Sequence, residues 1–532
     1  MPAVPGLLPA TLACLTLLPL LALAFDGTRL LQVLVLTLSA WLWLARPLRR
    51  DRARAMQALA AGAVAVAFLA DAAVRSFILR TWGALPDSTM VITALANTGG
   101  TEASEFLLAY WPDLLQQTAL LLFSAVLLGV LLRRWWIASA AAAQPSRWRV
   151  AAIAVLLLVL LAALAIKPWR KYHPFVFWPL WAQQVADTRA QWERAHVQRA
   201  ELKQRAAAQA PALVPASPDT LVLVISDSIN RAHLSLYGYA RQTTPQLDRR
   251  RQQEAGTFKV LRHPWSADAS TVTALANFFH FGEPSSPSRN HLLALAAAAG
   301  YQTWWISNHD DLAIQRQHAE LADRQRMLNK VPGRSAASLD HAVLPELERA
   351  LRSGPGRKLI VVHLLGAHPH YRLRHPPDRA PFRHARDAVY RQLESSGRST
   401  WTRQLRNDYD SAIHYHDSVV DRTLELTRTH GGRAGWIFLS DHGQEVGSVS
   451  DHAGHSASSP DGYRIPLLVW GAAAQGVPDE LHRLPIRADW LGHSLTRLLG
   501  IAWTGYRPER DFLHPGYRWT PPPHPVRVDY LS

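Results

Sequence analysis

Two apolar segments of this chain lead into acidic and histidine side chains. Residues 221–225 form an apolar run that is rich in Val and Ile and too short to cross a membrane, and Asp227 follows it after one serine. Residues 436–439 lead in the same way towards Asp441 and His442. Buried parallel strands have this composition, and ligands bind beyond their carboxyl ends. Two carboxylates and an imidazole at one edge of a sheet predict a site for zinc or a similar divalent metal.

A candidate nucleophile lies between these two segments. Residues 263–281, HPWSADASTVTALANFFHF, combine a polar turn with a predicted helix that has one apolar face. Ser270 or Thr271 falls at the start of this helix, where backbone N–H groups and the helix dipole favour an anion. A hydroxyl in this position is either a helix cap or a nucleophile beside a bound anion.

The elements that must position these residues alternate along the later part of the chain. Short apolar runs with β-branched residues are separated by segments of helical periodicity. This alternation predicts an α/β domain with a mainly parallel sheet covered by helices. Strands are predicted at residues 221–225, 302–306, 359–364, 436–439 and 466–470, and helices at residues 289–299, 408–427 and 487–499.

The first part of the chain has a membrane-like character. Asp71 lies in one of its apolar runs, and because a carboxylate inside a membrane is costly, we expect it to face protein. Each run approaches the ~20 residues that cross a bilayer, so the sequence predicts a transmembrane domain of five helices. The runs are residues 7–25, 30–45, 56–74, 114–132 and 150–166. The predicted divisions are a transmembrane domain (1–167), an interfacial helix and linker (168–217) and a metal-dependent catalytic domain (218–532).

Charge and cysteine content set the orientation and the compartment. Arginines cluster at residues 46–54 and 133–149. The positive-inside rule places both loops in the cytoplasm, and an odd number of crossings then leaves the last domain outside it. That domain has no disulfide, because Cys14 is the only cysteine of the chain. The net charge of +16 reflects either an arginine-rich composition or contact with anionic lipid head groups, and we expect no nucleic-acid partner.

Five sequence blocks together carry a family resemblance. They are SLYGYARQTTPQLD (235–248), AGYQTWWISN (299–308), VVHLLGAHPHY (361–371), NDYDSAIHYHD (407–417) and SDHGQEVG (440–447). In amino-acid sequence and in order they resemble the signature motifs of the bacterial membrane phosphoethanolamine transferases, a family of the alkaline phosphatase and sulfatase superfamily. The resemblance covers roughly the last three fifths of the chain, which makes it more specific than any single motif.

The resemblance implies a set of site residues and a cofactor. It selects Thr271 as the nucleophile, because VTALANFF follows it. It implies one bound zinc and leaves a second open. The implied metal ligands are Asp227, Thr271, Asp441 and His442, and the implied substrate or second-metal residues are His368, His455 (with His452 as the alternative), Thr98 and Glu102. We expect His309 to have no part in the site.

Two positions depart from the pattern of the family. The family has Glu where this chain has Asp227, whose side chain is one methylene shorter. Asp can still bind zinc if the backbone or the metal shifts by about the lost bond length. The family also has an acidic residue after the Asp-His-Gly sequence, where this chain has Gln444. The missing negative charge weakens the expectation of a second metal.

The resemblance also implies an activity and a location. Such an enzyme lies in the bacterial inner membrane, crosses it several times and has its catalytic domain in the periplasm. Thr271 would take phosphoethanolamine from phosphatidylethanolamine and pass it to a lipopolysaccharide acceptor, a core sugar or lipid A, or to another envelope glycan. The alternatives are a metal-dependent phosphatase or phosphodiesterase, a sulfatase that uses Ser285 of the Ser-Ser-Pro-Ser-Arg sequence, and a membrane sensor that has lost catalysis.

Overall fold

The structure is a computed structural model in which the described residues form two compact units. The first unit comprises Met1–Arg80, Leu85–Asp87 and Leu107–Ala186, and the second comprises Thr81–Ala84, Ser88–Phe106 and Asp187–Ser532. The described residues are 36, 43–44, 47–82, 84–141, 147–165, 172–193, 195–214, 218–282, 289–309, 311–329, 339–475, 477 and 484–532.

The helices and strands of the described residues are numbered in chain order. The helices are α1 (Asp51–Trp82), α2 (Thr89–Asn97), α3 (Gly100–Ala109), α4 (Trp111–Ala138), α5 (Arg147–Ala165), α6 (Pro174–Glu193), α7 (Ala195–Ala208), α8 (Pro245–Gln253), α9 (Thr271–Phe279), α10 (Leu292–Ala298), α11 (Leu312–Gln317), α12 (Leu344–Leu351), α13 (Ala388–Ser395), α14 (Thr400–His430) and α15 (Leu491–Leu498). The strands are β1 (Ala212–Leu213), β2 (Thr220–Ser226), β3 (Phe258–Leu261), β4 (His263–Trp265), β5 (His280–Phe281), β6 (Asn290–His291), β7 (Gln302–Ser307), β8 (Arg324–Met327), β9 (Lys358–Leu364), β10 (Ala434–Ser440), β11 (Glu445–Val446), β12 (Ala453–Gly454), β13 (Leu467–Gly471), β14 (Pro485–Arg487) and β15 (Ile501–Ala502).

Long apolar helices dominate the first unit. Among the described residues, α1 and α4 are long and apolar enough to cross a membrane. They contain the predicted runs 56–74 and 114–132, and α5 contains all of the run 150–166 except its last residue. The run 7–25 lies outside the described residues, as does almost all of the run 30–45. Five crossings are therefore not established.

Asp71 is neutralised inside the first unit. Its side chain is buried in α1, where both of its carboxylate oxygens accept hydrogen bonds from Nε of Arg75, at 3.0 and 3.1 Å. A spacing of four residues puts the two side chains on one face of the helix. The expected protein-facing position is confirmed, because a buried charge requires a partner.

A seven-stranded sheet forms the centre of the second unit, in the order β3-β13-β10-β2-β9-β7-β8. The strands from β10 to β8 in this order are parallel. At the other side of β10, β13 pairs antiparallel with β10, and β3 pairs antiparallel with β13. Each of the predicted strands is present, so the α/β domain with a mainly parallel sheet is confirmed. The strand predicted at 466–470 pairs antiparallel, which its apolar composition alone does not reveal.

The central strand β2 is buried along its whole length. Leu221, Leu223 and Ile225 pack into one apolar cluster, and Val222 and Val224 pack into another on the opposite face. Helices α9, α10 and α15 contribute to the first cluster, and α8, α12 and α14 contribute to the second. Fully burying each such side chain contributes about 1.5–3 kcal/mol, so both faces favour this apolar sequence.

Two helices begin at other residues than the sequence predicts, and the local structure gives the reason in each case. The helix predicted at 289–299 begins at Leu292, because Asn290–His291 pairs antiparallel with His280–Phe281. The helix predicted at 408–427 begins earlier, at Thr400, where Ser399 accepts a hydrogen bond from the backbone N–H of Thr402. The helix predicted at 487–499 is α15, preceded by a 3-10 turn at Ala488–Trp490.

Candidate metal centre and active site

The sheet register brings Asp227 and Asp441 to one edge. Ser226 of β2 is the parallel partner of Ser440 of β10. Asp227 and Asp441, which directly follow these serines, therefore lie side by side at the ends of neighbouring strands. Both carboxylates are buried, as is His442. This is the arrangement that the two strand ends predict, and it depends on β2 and β10 being adjacent.

Thr271 completes a compact set of donor atoms. Its Oγ1 donates a hydrogen bond of 3.0 Å to Oδ2 of Asp227 and lies 3.4 Å from Nε2 of His442. The same Nε2 lies 3.6 Å from Oδ1 of Asp227 and 3.8 Å from Oδ2 of Asp441. The four side chains that resemblance selects as metal ligands therefore converge on one small volume.

Neighbouring backbone groups leave the correct atoms available for a cation. Nδ1 of His442 donates to the carbonyl oxygen of Gly443 at 2.6 Å, which leaves the lone pair of Nε2 directed at the carboxylates. Oδ1 of Asp441 accepts from the backbone N–H groups of Ser228 and His442, whereas its Oδ2 is buried without a partner among the described residues. Because a buried carboxylate oxygen requires a partner, this donor set fits a divalent cation such as zinc.

The electrostatics of the site also favour a cation. Burial raises the pKa of Asp441 to about 7, while the imidazolium form of His442 lowers it and the nearby Asp227 carboxylate raises it further. Burial lowers the pKa of His442, but the carboxylates of Asp441 and Asp227 outweigh burial and raise it overall. Two carboxylates held this close together are stabilised by added positive charge.

The local structure separates Thr271 from Ser270. Thr271 is the first residue of α9, and Ser270 occupies the N-cap position without capping the helix through its side chain. The Ser270 hydroxyl instead contacts Oγ1 of Thr273 at 2.7 Å. The helix start thus directs Thr271 towards the carboxylates, and the dipole of the helix adds partial positive charge beside its oxygen.

A second group of histidines borders the metal donors. One donor atom each from Asp227, His442 and His455 lies within 4.8 Å of the others. The ring centroids of His442 and His455 are 4.7 Å apart, and those of His455 and His368 are 6.1 Å apart. Nε2 of His452 instead contacts the carbonyl oxygen of His455 at 3.1 Å. The structure therefore brings His455 and His368 to the site and directs His452 to the backbone.

His309, which we expected to lie outside the site, belongs to its surroundings. It is fully buried, and its Nε2 lies 3.8 Å from Oδ2 of Asp227. Its Nδ1 contacts Asp311 at 3.1 Å, and its ring stacks on that of His363 at a centroid distance of 4.0 Å. His309 comes this close because β7, which it follows, neighbours β9 at the same sheet edge. Its Nε2 donates to the carbonyl oxygen of Leu364 at 2.9 Å, and that His309 takes no part in binding zinc stays a prediction.

Sequence reasoning also missed a buried polar chain behind the site. Nε2 of His416 contacts Oγ of Ser226 at 2.6 Å, and its Nδ1 lies 3.4 Å from Oδ2 of Asp340. Asp340 also accepts hydrogen bonds from the backbone N–H groups of Leu365 and Gly366. His416 lies within the block NDYDSAIHYHD, so that motif was the available signal, although it does not name the partner.

Gln444 stands where the family has an acidic residue, and its side chain makes a hydrogen bond to Tyr371. Its Nε2 donates to the hydroxyl of Tyr371 at 3.0 Å, and its backbone carbonyl oxygen accepts from Nδ2 of Asn230 at 3.1 Å. The side chain is buried. A neutral amide therefore replaces the acidic residue without leaving a charge in this position.

The segment that contains Thr98 and Glu102 belongs to the second unit. Thr98 ends α2, and its hydroxyl donates to the carbonyl oxygen of Ala94 at 2.8 Å. Glu102 lies in α3, but its side chain is outside the described ones. Glu105 of the same helix forms a buried ion pair of 3.0 Å with Nη2 of Arg374. Nε of Arg374 in turn donates to the carbonyl oxygen of His368.

Ser285, the residue of the sulfatase alternative, lies within 283–288, which is outside the described residues. The chain's cysteine, Cys14, lies outside them as well.

Comparisons with known proteins agree with the fold of the second unit. Phosphoethanolamine transferase EptC of Escherichia coli strain K12 is 29% identical over 321 residues, which are 57% of this chain and 54% of that protein. The chain thus spans about half the length of the curated relatives it matches. The crystal structure of the C-terminal periplasmic domain of Escherichia coli EptC in complex with Zn has a TM-score of 0.54 and 27% identity, and covers 60% of this chain and 96% of that one.

The resemblance of folds extends into the first unit. The integral membrane protein lipooligosaccharide phosphoethanolamine transferase A from Neisseria meningitidis has a TM-score of 0.56 at 18% identity, and covers 85% of this chain and 86% of that one. At that identity the likeness concerns the fold alone. The sulfatase family model matches residues 219–501, more than half of the chain and all of the central sheet. This chain is a member of the sulfatase family and a relative of its phosphoethanolamine transferases.

Proposed function

We propose that the protein transfers phosphoethanolamine from phosphatidylethanolamine to a lipopolysaccharide acceptor, a core sugar or lipid A, through a covalent intermediate on Thr271. The observation that carries this proposal is the position of the Thr271 hydroxyl, 3.0 Å from Asp227 and 3.4 Å from His442 at the start of a helix. A nucleophile, a cation site and helix N–H groups are what transfer of an anionic phosphoryl group requires.

Asp227, Asp441, His442 and the Thr271 oxygen are the residues that would hold zinc. When bound there, zinc would lower the pKa of the hydroxyl and withdraw charge from the phosphate oxygens. We propose one such ion, because Nε2 of His442 lies 3.4 Å from the Thr271 oxygen and 3.6 and 3.8 Å from oxygens of Asp227 and Asp441. His455 and His368 lie beside it, where they can bind the transferred group or a second cation.

The residues of the chain then act in two half-reactions. Asp227 accepts the hydrogen bond of the Thr271 hydroxyl and so fixes the direction of the nucleophile. A bond forms between Oγ1 and phosphorus, and the bond from phosphorus to diacylglycerol oxygen breaks. That oxygen takes up the proton that the Thr271 hydroxyl gives up and leaves as diacylglycerol. In the second half-reaction, the acceptor oxygen bonds to the same phosphorus, the bond from phosphorus to Oγ1 breaks, and the proton of the acceptor hydroxyl restores that of Thr271.

The membrane location of the lipid donor, phosphatidylethanolamine, fits the same proposal. Two described helices are long and apolar enough to cross a membrane, and a tether of this kind keeps a catalytic domain near a lipid donor at high effective concentration. We infer a multi-pass protein of the inner membrane with five crossings, with the second unit in the periplasm. The arginine clusters at 46–54 and 133–149 support this orientation.

The test uses the purified full chain with phosphatidylethanolamine, with and without lipopolysaccharide. We expect diacylglycerol release, followed by phosphoethanolamine on the lipopolysaccharide when the acceptor is present. Mass spectrometry of both products measures this. Free phosphoethanolamine in equal amounts with and without acceptor would indicate a phosphodiesterase instead. Loss of sulfate from an aryl sulfate, with no diacylglycerol release, would support the sulfatase alternative.

A further inference from the structure

Three histidines from separate elements meet at a second place in the fold. His280 begins β5, directly after α9, and its cross-strand partner in β6 is His291. His318 follows the last residue of α11. None of the three lies in a block that carries the family resemblance, and none has a part in the function proposed above.

The three imidazoles are close enough to share one ion. One ligand atom from each lies within 4.8 Å of the others. The ring centroids of His280 and His291 are 4.8 Å apart, and those of His291 and His318 are 5.3 Å apart. His291 and His318 are fully buried, whereas His280 is partly exposed and offers a route of entry.

The hydrogen bonds fix the tautomers of the three rings. Nδ1 of His280 donates to the carbonyl oxygen of Ala276 at 2.9 Å, so its Nε2 retains a free lone pair. The backbone N–H of Leu293 donates to Nδ1 of His291, so Nε2 of His291 carries the proton and donates to Nδ1 of His318 at 3.0 Å. Nε2 of His318 is then a buried N–H group without a partner among the described residues. A metal bound at Nδ1 of His318 would leave this N–H group as it is. The atoms that can bind a metal are therefore Nε2 of His280, Nε2 of His291 and Nδ1 of His318.

We propose that His280, His291 and His318 form a second metal-binding site, which takes a divalent transition metal of the zinc type. Three imidazoles without a carboxylate favour zinc, cobalt, nickel or copper over magnesium or calcium, which prefer oxygen ligands. A metal replaces the proton between His291 and His318. That proton moves to Nδ1 of His291, at the expense of the 3.2 Å hydrogen bond from Leu293.

The protonation states agree with metal binding at neutral pH. Burial holds the pKa values of His291 and His318 well below their usual range, and it lowers the pKa of His280 to about 4. Neutral imidazoles need not lose a proton to bind a metal. The positive charge of Arg289 also lowers all three pKa values, and by the same repulsion it weakens the binding of a cation.

The proposed site is separate from the candidate metal centre. Thr271 and His280 lie at opposite ends of α9, and a rise of 1.5 Å per residue places them about 13 Å apart. A metal at the histidines would join the end of α9, strand β6 and the end of α11. We therefore assign it a structural role, that of holding the far end of the helix that begins with Thr271.

The experiment measures zinc bound by the full chain after removal of metal with a chelator. The Asp441→Asn variant loses one of the two carboxylate charges of the first centre and binds zinc there more weakly. At a free zinc concentration below the dissociation constant of that weakened centre, it should retain one zinc per chain, held by the three histidines. Adding His280→Gln or His318→Gln to it should remove that zinc. The matched control is His375→Gln, because His375 is also buried and its Nε2 has no hydrogen-bond partner, but it belongs to no such histidine cluster among the described residues. Arg289→Ala should tighten zinc binding several-fold.

Folding of each variant is checked by thermal unfolding without metal. His280 is partly exposed, so His280→Gln carries the test if His318→Gln fails to fold. Zinc should raise the unfolding temperature of the Asp441→Asn protein and leave that of the double variant unchanged. If Asp441→Asn retains no zinc, or if the double variants bind as much zinc as Asp441→Asn alone, the site does not exist.

Discussion

At the scale of single residues, the charge at the sheet edge determines what the site can bind. Asp227 and Asp441 are buried beside one another, and one oxygen of Asp441 has no partner among the described residues. Neither carboxylate has an arginine or lysine partner among the ion pairs of the described residues. A cation therefore balances them better than any side chain in the vicinity.

Replacing Asp441 by Asn tests this balance. The shape is kept and one negative charge is lost, so we expect the zinc affinity of the first centre to fall by about tenfold or more. Zinc titration of the full chain, with His280→Gln included to remove the second site, measures the change. Asp417→Asn is the control: Asp417 is equally buried and burial raises its pKa to about 8, but it accepts hydrogen bonds from the backbone N–H groups of Gln246 and Leu247. Equal zinc binding by both variants would show that the first centre lies elsewhere.

Glycine 366 gives a second prediction at this scale. It has a φ of +56°, and a Cβ atom there would lie 2.5 Å from the backbone oxygen of Asp227. Gly366→Ala should displace Asp227 and lower both zinc affinity and transfer activity. Gly354→Ala is matched, because Gly354 also has a positive φ, +70°, but open space around its Cβ. Both variants bear a left-handed strain of about 1–2 kcal/mol, so only the difference between them reports the displacement. Equal zinc affinities would contradict this account of Asp227.

At the scale of elements, α3 is connected to the candidate active site by one buried ion pair. Glu105 contacts Arg374, which also donates to the carbonyl oxygen of His368. Glu105→Gln should destabilise the folded protein by about 3–5 kcal/mol, because the buried charge of Arg374 would lose the opposite charge of the Glu105 carboxylate. Thermal unfolding of the full chain measures this.

The exposed pair of Arg352 and Glu348 serves as the comparison. The side chains of Arg352 and Glu348 are 77% and 44% exposed, so Arg352→Gln should cost less than about 1 kcal/mol. If Glu105→Gln is no more destabilising than Arg352→Gln, the ion pair does not hold α3.

The elements also explain what the sequence could predict. Asp227, Asp441 and His442 were predictable, because parallel strands gather their carboxyl ends at one edge and the strands themselves were recognisable. The nearness of His309 to Asp227 was not predictable, because no single strand reveals the order of the strands in the sheet. The sequence favoured His455 and left His452 as the alternative, and the structure places the ring of His455, which follows β12, beside that of His442. The histidine cluster depends on the pairing of β5 with β6, in a segment where periodicity favoured a helix.

At the scale of the whole molecule, the orientation in the membrane follows from loop charge. A reporter that is active only outside the cytoplasm, fused after Pro218, should be active, because five crossings leave this residue in the periplasm. The same reporter fused within 142–146, between α4 and α5, should be inactive. Activity of the second fusion and not of the first would contradict the five-crossing arrangement.

The central claim concerns the covalent step on Thr271. The most direct measurement is intact-protein mass spectrometry of the full chain after incubation with phosphatidylethanolamine and no acceptor, followed by peptide mapping. We expect one phosphoethanolamine adduct on Thr271, absent in Thr271→Ala and retained in Ser270→Ala and Ser285→Ala. Zinc binding should persist in Thr271→Ala, since two carboxylates and an imidazole remain. An adduct on another residue, or transfer to lipopolysaccharide by the Thr271→Ala protein, would contradict the account.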